Sequence, residues 1–316
     1  MLKLINLADN SEKEISTSDL QNLNLANMWI DAISPTEEEI KALEGKCGVP
    51  TSYLKPMEIG SFSGVYFVDE KIVLYFETFK GLFEPNNIIP IALIFTKDFI
   101  LTVRNEVTTA IASAKRRMHK DKVDTPIYMV YTILDEIITE YYVYLEKVED
   151  MTSGLEESIL ENPQESTLKE MFRLKTKLIS FNKLLWCERG AVSSIKRAEL
   201  GFITFKQKAL FESLLDDLTR QVNIVETFRE IISDGLDAYL STLSNRINFS
   251  IKSLTVVMLY LTIITTITSF PNTIATIFGI PTFGANADWR IIVVLLAVST
   301  FLPMVWLFKK RWIKLE

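Results

Sequence analysis

Residues 253–287, SLTVVMLYLTIITTITSFPNTIATIFGIPTFGANA, contain no Asp, Glu, Lys, Arg or His, and a second apolar stretch follows at 291–308, IIVVLLAVSTFLPMVWLF, closed by Lys309, Lys310 and Arg311. A membrane helix needs roughly 20 apolar residues to cross about 30 Å of hydrocarbon. Leu254 to Ile280 satisfies that with turns to spare, and Ile291 to Phe308 fits with Trp289 and Trp312 near the two interfaces. The alternative, a buried hairpin in a soluble core, is disfavoured because helices of globular proteins average only about 11–12 residues. The expectation is therefore a protein anchored at its C-terminal end by two spans.

Lysine and arginine flank these spans at Arg246 and Lys252 on one side and at Lys309, Lys310, Arg311 and Lys314 on the other. The positive-inside rule then puts both termini in the cytoplasm of a multi-pass inner or plasma membrane protein. Only Pro281 to Arg290, with Asp288 and Arg290 as its charges, would face outside. The N-terminus has no apolar signal core, so no cleaved export segment is expected.

The formal charge of the chain is −6; residues 246–316 carry seven Lys or Arg against two acids, +5, which leaves −11 on residues 1–245. An acidic field repels nucleic acid and concentrates cations. Cys47 and Cys187 lie far apart and in no metal-ligand spacing, as expected of reduced thiols. The one histidine, His119, sits in the cluster Lys115-Arg116-Arg117-Met118-His119-Lys120, which reads as a helix end in solvent. The glycines form no phosphate-cradling motif and no nucleophile stands beside a base, so an enzyme is not expected.

Residues 1–125 read as a mixed α/β domain with strand-like runs at Met28–Ile33, Val65–Val68, Lys71–Phe79, Ile88–Phe95 and Phe99–Val103. A helix is expected after Ser34 as cap, Pro35 at its first position and Glu37 to Glu39 in its first turn. Asp69-Glu70 reads as a hairpin turn. From 126 to 252 the pattern becomes helical: Ile127 to Leu160, a break at Asn162-Pro163, Glu165 to about Arg189, and then Phe205 onward without interruption into the membrane region, 253–316. Taken to Ile280, that last helix would be about 114 Å long at 1.5 Å per residue. So long a rod needs lateral partners, which other copies of the chain can supply.

Reading every third and fourth residue in alternation gives Asn248, Ile251, Thr255, Met258, Thr262, Thr265, Ser269, Asn272, Thr276 and Gly279, of which eight are polar or lack a side chain. A 3.5-residue repeat is the seam of helices in a left-handed coiled arrangement. Two readings stand. Ser and Thr bond back to their own backbone and often simply pack, and Thr266, Thr268 and Thr273, off the seam, fit that view. Alternatively, a symmetric ring of such helices encloses a water-filled path for a hydrated cation, with Ile251 and Met258 as its dry constrictions. Pro271 frees the carbonyl of Ile267, which is tolerated only where protein or water satisfies it.

Taken together, these pieces resemble the CorA family of divalent-cation channels over nearly the whole chain. Trp29-Ile30-Asp31, Pro35-Thr36 and Glu38-Glu39-Ile40 are similar to the family's early strand and helix; Asp135-Glu136-Ile137-Ile138, Tyr141-Tyr142 and Leu155-Glu156 are similar to its helical arms. The strongest piece runs from Val225-Glu226-Thr227-Phe228-Arg229 through Leu240-Ser241, Ser244-Asn245-Arg246 and Asn248 to Lys252-Ser253-Leu254-Thr255. The resemblance implies an α/β cytoplasmic domain on a long stalk helix, two transmembrane helices per chain, and a funnel-shaped homopentamer in membrane lipid with the first span lining the pore. It implies magnesium as transported and regulatory ion, with cobalt, nickel or zinc behind it, and a ring of basic residues, here Lys309, Lys310, Arg311 and Lys314, around the pore entrance.

Three positions depart from that pattern. The family's Gly-Met-Asn signature is here Gly279-Ile280-Pro281, so the asparagine ring that meets hydrated magnesium is missing; Asn272 or the loop residue Asn286 are the available substitutes, and the acidic outer loop is reduced to Asp288. The first span is about seven residues longer than the pattern, one heptad, which would lengthen a pore without rotating its lining. The stalk position of the regulatory aspartate is Ser213, with Glu212, Asp216 and Asp217 as neighbouring carboxylates, or else as an ordinary solvated face. A family-derived sensor or scaffold that does not conduct is the remaining alternative.

Overall fold

The computed structural model describes residues 1–55, 64–79, 88–161, 164–198, 203–281 and 288–309; of residues 160, 161 and 307–309 it describes the backbone. Contacts divide the chain into two units, Met1–Tyr239 and Leu240–Glu316.

The first unit is built on a seven-stranded sheet of order β2-β1-β3-β7-β6-β5-β4. Its strands are β1 (Leu2–Asn6), β2 (Glu12–Ile15), β3 (Met28–Ile33), β4 (Gly64–Val68), β5 (Lys71–Phe79), β6 (Ile88–Phe95) and β7 (Phe99–Arg104). All pairs are antiparallel except β3 with β7. Strands β5 to β7 are mostly apolar because both faces are covered. Ile72, Leu74 and Phe76 enter the core under the long helices, while Val73 and Tyr75 enter the core on the opposite face. Asp69 has φ 52° in the tight turn between β4 and β5, a conformation Asp tolerates well.

Three short helices cover one face: α1 (Thr17–Asn22), α2 (Glu37–Cys47) and α3 (Thr51–Leu54). The cap of α2 is Thr36, not Ser34, and Pro35 lies outside the helix. Thr36 Oγ1 accepts from the Glu39 amide while the Glu39 carboxylate accepts from the Thr36 amide at 2.8 Å, a reciprocal capping box. Ser34 instead has φ 44° and gives its N–H to the Arg104 carbonyl. Helix α1 has the same kind of box, between Ser16 and Asp19.

The other face carries α4 (Thr109–Asp121), α5 (Pro126–Glu161), α6 (Glu165–Arg197) and the first part of α7 (Phe205–Phe278). α6 runs eight residues beyond the expected Arg189, with Val192 and Ile195 buried in its added turns. The Asn162-Pro163 break lies outside the described residues. Helix α7 is continuous over 74 residues, about 111 Å at 1.5 Å per residue. It passes through Pro271 and ends two residues short of the expected Ile280. Gly235 is where α7 accepts the tips of α5 and α6: a Cβ there would lie 2.8 Å from Met171 Cε and 3.5 Å from Ile159 Cδ1.

The second unit holds the rest of α7 and α8 (Trp289–Lys309), and both contain windows long and apolar enough to cross a membrane, 0% buried within the chain.

Candidate pore and regulatory sites

The ten seam residues lie on one unbroken stretch of α7, and all ten are exposed. Leu259, Ile263, Ile267, Ile274 and Phe278, on another edge of the helix, are partly covered. The hydroxyls share one local geometry. Thr255, Thr262, Thr265 and Thr276 donate to the carbonyls of Ile251, Met258, Leu261 and Asn272 at 2.8, 2.8, 2.9 and 2.7 Å. Each donor is thus spent inside the helix, and the oxygen keeps lone pairs for an outside donor. Thr266, Thr268 and Thr273, off the seam, bond back in the same way. Back-bonding therefore makes a threonine tolerable in either environment and does not choose the face.

The choice of face gains from the stalk. Continued backwards in the same 3-4 alternation, the seam passes through Ser244, Ser241, Asp237, Asp234, Glu230 and Thr227, every one of them exposed. The buried residues of the stalk, among them Leu218, Val225, Phe228 and Ile232, repeat with the same period on the opposite side. Up to Tyr239 one side of α7 is thus packed against its own unit, while the seam side, polar except at Ile251 and Met258, is left open. The sequence signal was available: the alternation extends well upstream of Asn248.

The outer end is only partly described. Gly279 donates to the Ala275 carbonyl at 2.9 Å and Ile280 to that of Ile277 at 3.2 Å, so the Gly279-Ile280-Pro281 segment leaves the helix by a tightening last turn. Asn286 lies outside the described residues. Asp288 takes a structural role that its loop position concealed: its Oδ1 accepts from the Arg290 amide at 3.1 Å and its carbonyl from that of Ile291 at 3.0 Å, capping α8. Lys309 is the last residue of α8, while Lys310, Arg311 and Lys314 lie outside the described residues.

The stalk carboxylates are separately engaged. Glu212 pairs with Lys196 at 2.7 Å, Asp217 accepts from Tyr142 at 3.3 Å, and Asp216 is exposed. Among the described residues, no group of three or more His, Cys, Asp or Glu is placed to hold a metal within one chain. The thiols give no metal centre either: Cys47 is buried and pushed up to about 12 by desolvation, and Cys187 is half-buried.

The basic cluster does form the end of α4, with Arg116, His119 and Lys120 exposed, but Lys115 and Arg117 correct the solvent reading. Lys115 Nζ lies 3.2 Å from the buried Asp31 and 5.3 Å over the Trp29 ring, and Arg117 pairs with Asp121, Asp135 and Glu136. These side chains tie α4 to the sheet and to α5. Periodicity could not show this, because Asp31 lies far away in sequence.

Comparison with known proteins draws these features together. The family described as "CorA-like Mg2+ transporter protein" matches residues 24–311, from β3 through both apolar helices. The chain belongs to the CorA family. It is 25% identical over 99% of its length to the whole of a cobalt/magnesium transport protein CorA of Methanocaldococcus jannaschii. It is 29% identical over 71% of its length to a protein of the same description from Thermotoga maritima, a match spanning 64% of that protein. Its fold superposes on the complete structure of the M. jannaschii CorA magnesium transporter with a TM-score of 0.72, 99% of each chain covered and 21% identity. CorA architecture accounts for the α/β unit, the 74-residue helix and the second apolar helix.

Proposed function

We propose that this CorA protein is a homopentameric channel that moves a divalent cation, magnesium first, down its electrochemical gradient through a path lined by the α7 seam. The observation that carries the reading is the continuity of one polar face along α7, in a chain whose family match covers both apolar helices. Helices that present the same stripe to a common axis make head-to-tail contacts that close into a ring. A hydrated divalent cation turns the protons of its water shell outward. Back-bonded threonines, with donors spent and acceptors free, suit that shell, and uncharged rings let the ion leave again. Ile251 and Met258 supply the dry constrictions. Both termini lie in the cytoplasm, where the acidic first unit gathers cations and the basic C-terminal residues sit near phosphate headgroups or the pore mouth.

The missing signature asparagine supports a second reading, a membrane sensor of the same fold that does not conduct. Pro281 offers neither a side-chain oxygen nor a backbone donor; Asn272, on the seam, is the substitute amide we assign to meet the hydrated ion. Glu212, Asp216 and Asp217 remain candidates for a regulatory cation between subunits, where one or two carboxylates with retained water suffice for magnesium. The test is uptake of magnesium, cobalt, nickel and zinc into proteoliposomes loaded with a metal-sensitive dye. Flux of at least one ion supports the channel; no flux of any ion from intact oligomers favours the sensor.

A further inference from the structure

Glu188 is a carboxyl on α6 with 0% exposure. Its Oε1 accepts from the Glu77 amide at 3.2 Å and stands 2.8 Å from Tyr141 Oη, which also contacts the Glu77 carbonyl oxygen. Its Oε2 is buried and has no hydrogen-bond partner. Glu77 stands opposite Pro90 on β6 and two residues beyond Tyr75, which pairs with Gly64 of β4. The Glu77 main-chain N–H and C=O are engaged by side chains of α6 and α5.

The proton count favours a neutral carboxyl. Glu188 Oε1, Tyr141 Oη and the Glu77 carbonyl form a row of three oxygens joined by two hydrogen-bond contacts, and each contact requires one proton. Tyr141 has one proton for both acceptors and the carbonyl has none; a proton on Glu188 makes each contact a full bond. The bonds then close into a loop: Glu188 donates to Tyr141, Tyr141 to the Glu77 carbonyl, and the Glu77 amide to Glu188.

The surroundings oppose an ionised Glu188. From β5 it faces the carboxyl of Glu77, a like charge. α5 brings Tyr141, Tyr144 and Glu140, the last accepting from the Thr78 and Thr109 hydroxyls. On α6 the neighbouring Cys187 thiol is raised by burial, then lowered by Lys183 and raised by Glu188 and Glu77. Tyr141, Tyr144, Phe79 and Phe181 pack as a cluster of rings with centroids 4.8–6.0 Å apart, which keeps the site dry. No ion pair reaches Glu188 among the described residues.

We propose that Glu188 is a proton-binding site: it is a neutral carboxylic acid at neutral pH, its proton sews β5 to α5 and α6, and alkaline pH loosens the helical layer against which the stalk packs. Burial, followed by the charge of Glu77, keeps this carboxyl well above the usual range, in agreement with the geometry. The sign follows from linkage. The closed form holds a proton that the opened form releases above the ordinary glutamate pKa, so protection declines as pH rises from there to the folded value and then levels.

The test uses the full chain in detergent micelles. Infrared spectroscopy reads the carbonyl stretch of protonated carboxyls in the wild type, Glu188→Gln and Glu77→Gln; hydrogen exchange, corrected for intrinsic rates, reads the segments around Glu77, Tyr141 and Glu188. The wild type should show the band at pH 7, and Glu188→Gln should lose intensity that Glu77→Gln keeps. Above about pH 7, where the Glu77 carboxyl no longer contributes, wild-type protection should fall by about tenfold per pH unit, the slope of one released proton, and Glu188→Gln should flatten it. A band absent from the wild type at pH 7, or unchanged in Glu188→Gln, overturns the proposal. Should Glu188→Gln not fold, the wild type decides, since protection independent of pH between about pH 7 and 8, above the Glu77 range, also overturns it.

Discussion

Asp31 shows how a single charged side chain can be worth more than its strand suggests. It is fully buried, accepts from Arg104 Nε at 3.1 Å and the Arg104 guanidinium at 2.8 Å, and takes the Thr102 hydroxyl at 2.9 Å, while Thr102 in turn accepts from Trp29 Nε1 at 3.0 Å. Burial pushes the Asp31 carboxyl upward, but the hydrogen bonds and charge of Arg104, aided by Lys115, hold it below its ordinary value of 3.8. Its contribution is therefore complete above that pH and is lost as pH falls through the folded value. Asp31→Ala leaves Arg104, 2% exposed, with a stranded charge, and should cost about 3–5 kcal/mol in the thermal or chemical unfolding of the full chain. The double change Asp31→Leu, Arg104→Met should cost much less, because the buried guanidinium goes with its partner and Lys115 keeps Glu12 at 3.2 Å. In the sequence Asp31 marks a resemblance to a family strand, but nothing local reveals its partners, which come from β7 and α4. Glu77 works with the opposite sign. Desolvation raises its carboxyl to about 7, so the folded state loses stability between the ordinary glutamate value and about pH 7. Glu77→Gln should lower the slope of that part of a melting-temperature profile, leaving the share of Glu188, and an unchanged slope would contradict the assignment.

Elements with strong period or strong punctuation were the legible ones. Strands β3, β5 and β6 fall where the β-branched and aromatic runs put them, because strands buried on both faces need continuous apolar sequence. Strands β1 and β2 were not read. β2 is Glu12-Lys13-Glu14-Ile15, an exposed edge whose charges blunt pairing with other chains and look like loop in a hydrophobicity pattern. The cap of α2 was misplaced by two residues because Ser34-Pro35 looks like a start, whereas the reciprocal Thr36 and Glu39 bonds satisfy more orphan amides. In α7 a substitution at Gly235 separates two effects. Gly235→Ala meets only the flexible end of Met171 and gains helix propensity, so stability should change by no more than about 1 kcal/mol. Gly235→Leu must displace Met171 and Ile159, and should cost about 1–3 kcal/mol in the same unfolding measurement. Within the span, Thr262→Val should reduce ion flux on the order of tenfold, about 1.4 kcal/mol, while Thr266→Val, one residue off the seam, should leave it nearly unchanged. Equal loss in dye-loaded proteoliposomes would remove the seam as lining.

At the scale of the whole molecule, the architecture was legible because two apolar stretches and an uninterrupted helix leave few alternatives, and the family match from 24 to 311 agrees with them. The candidate site was less so. A pore made by copies of one helix has no geometry inside a single chain, so its lining shows itself only as an exposed stripe with a constant period. That period supplies a test of the proposed channel. Deleting Leu259 to Thr265 removes one heptad and turns the remainder of α7 by only about 20°, so Ser269, Asn272 and Thr276 stay on the seam. Deleting five residues, Leu261 to Thr265, turns the same residues by about 140°. The heptad deletion still leaves about 20 apolar residues to cross the bilayer, whereas both deletions cut helix propensity and hydrophobic length. If the seam lines the path, the seven-residue deletion should assemble and conduct, and the shorter five-residue deletion should lose flux by far more. Length or hydrophobicity alone would predict the reverse order, since the larger deletion removes more of the span. Flux that falls in proportion to residues removed would therefore show that the stripe packs helices together without lining a conduit.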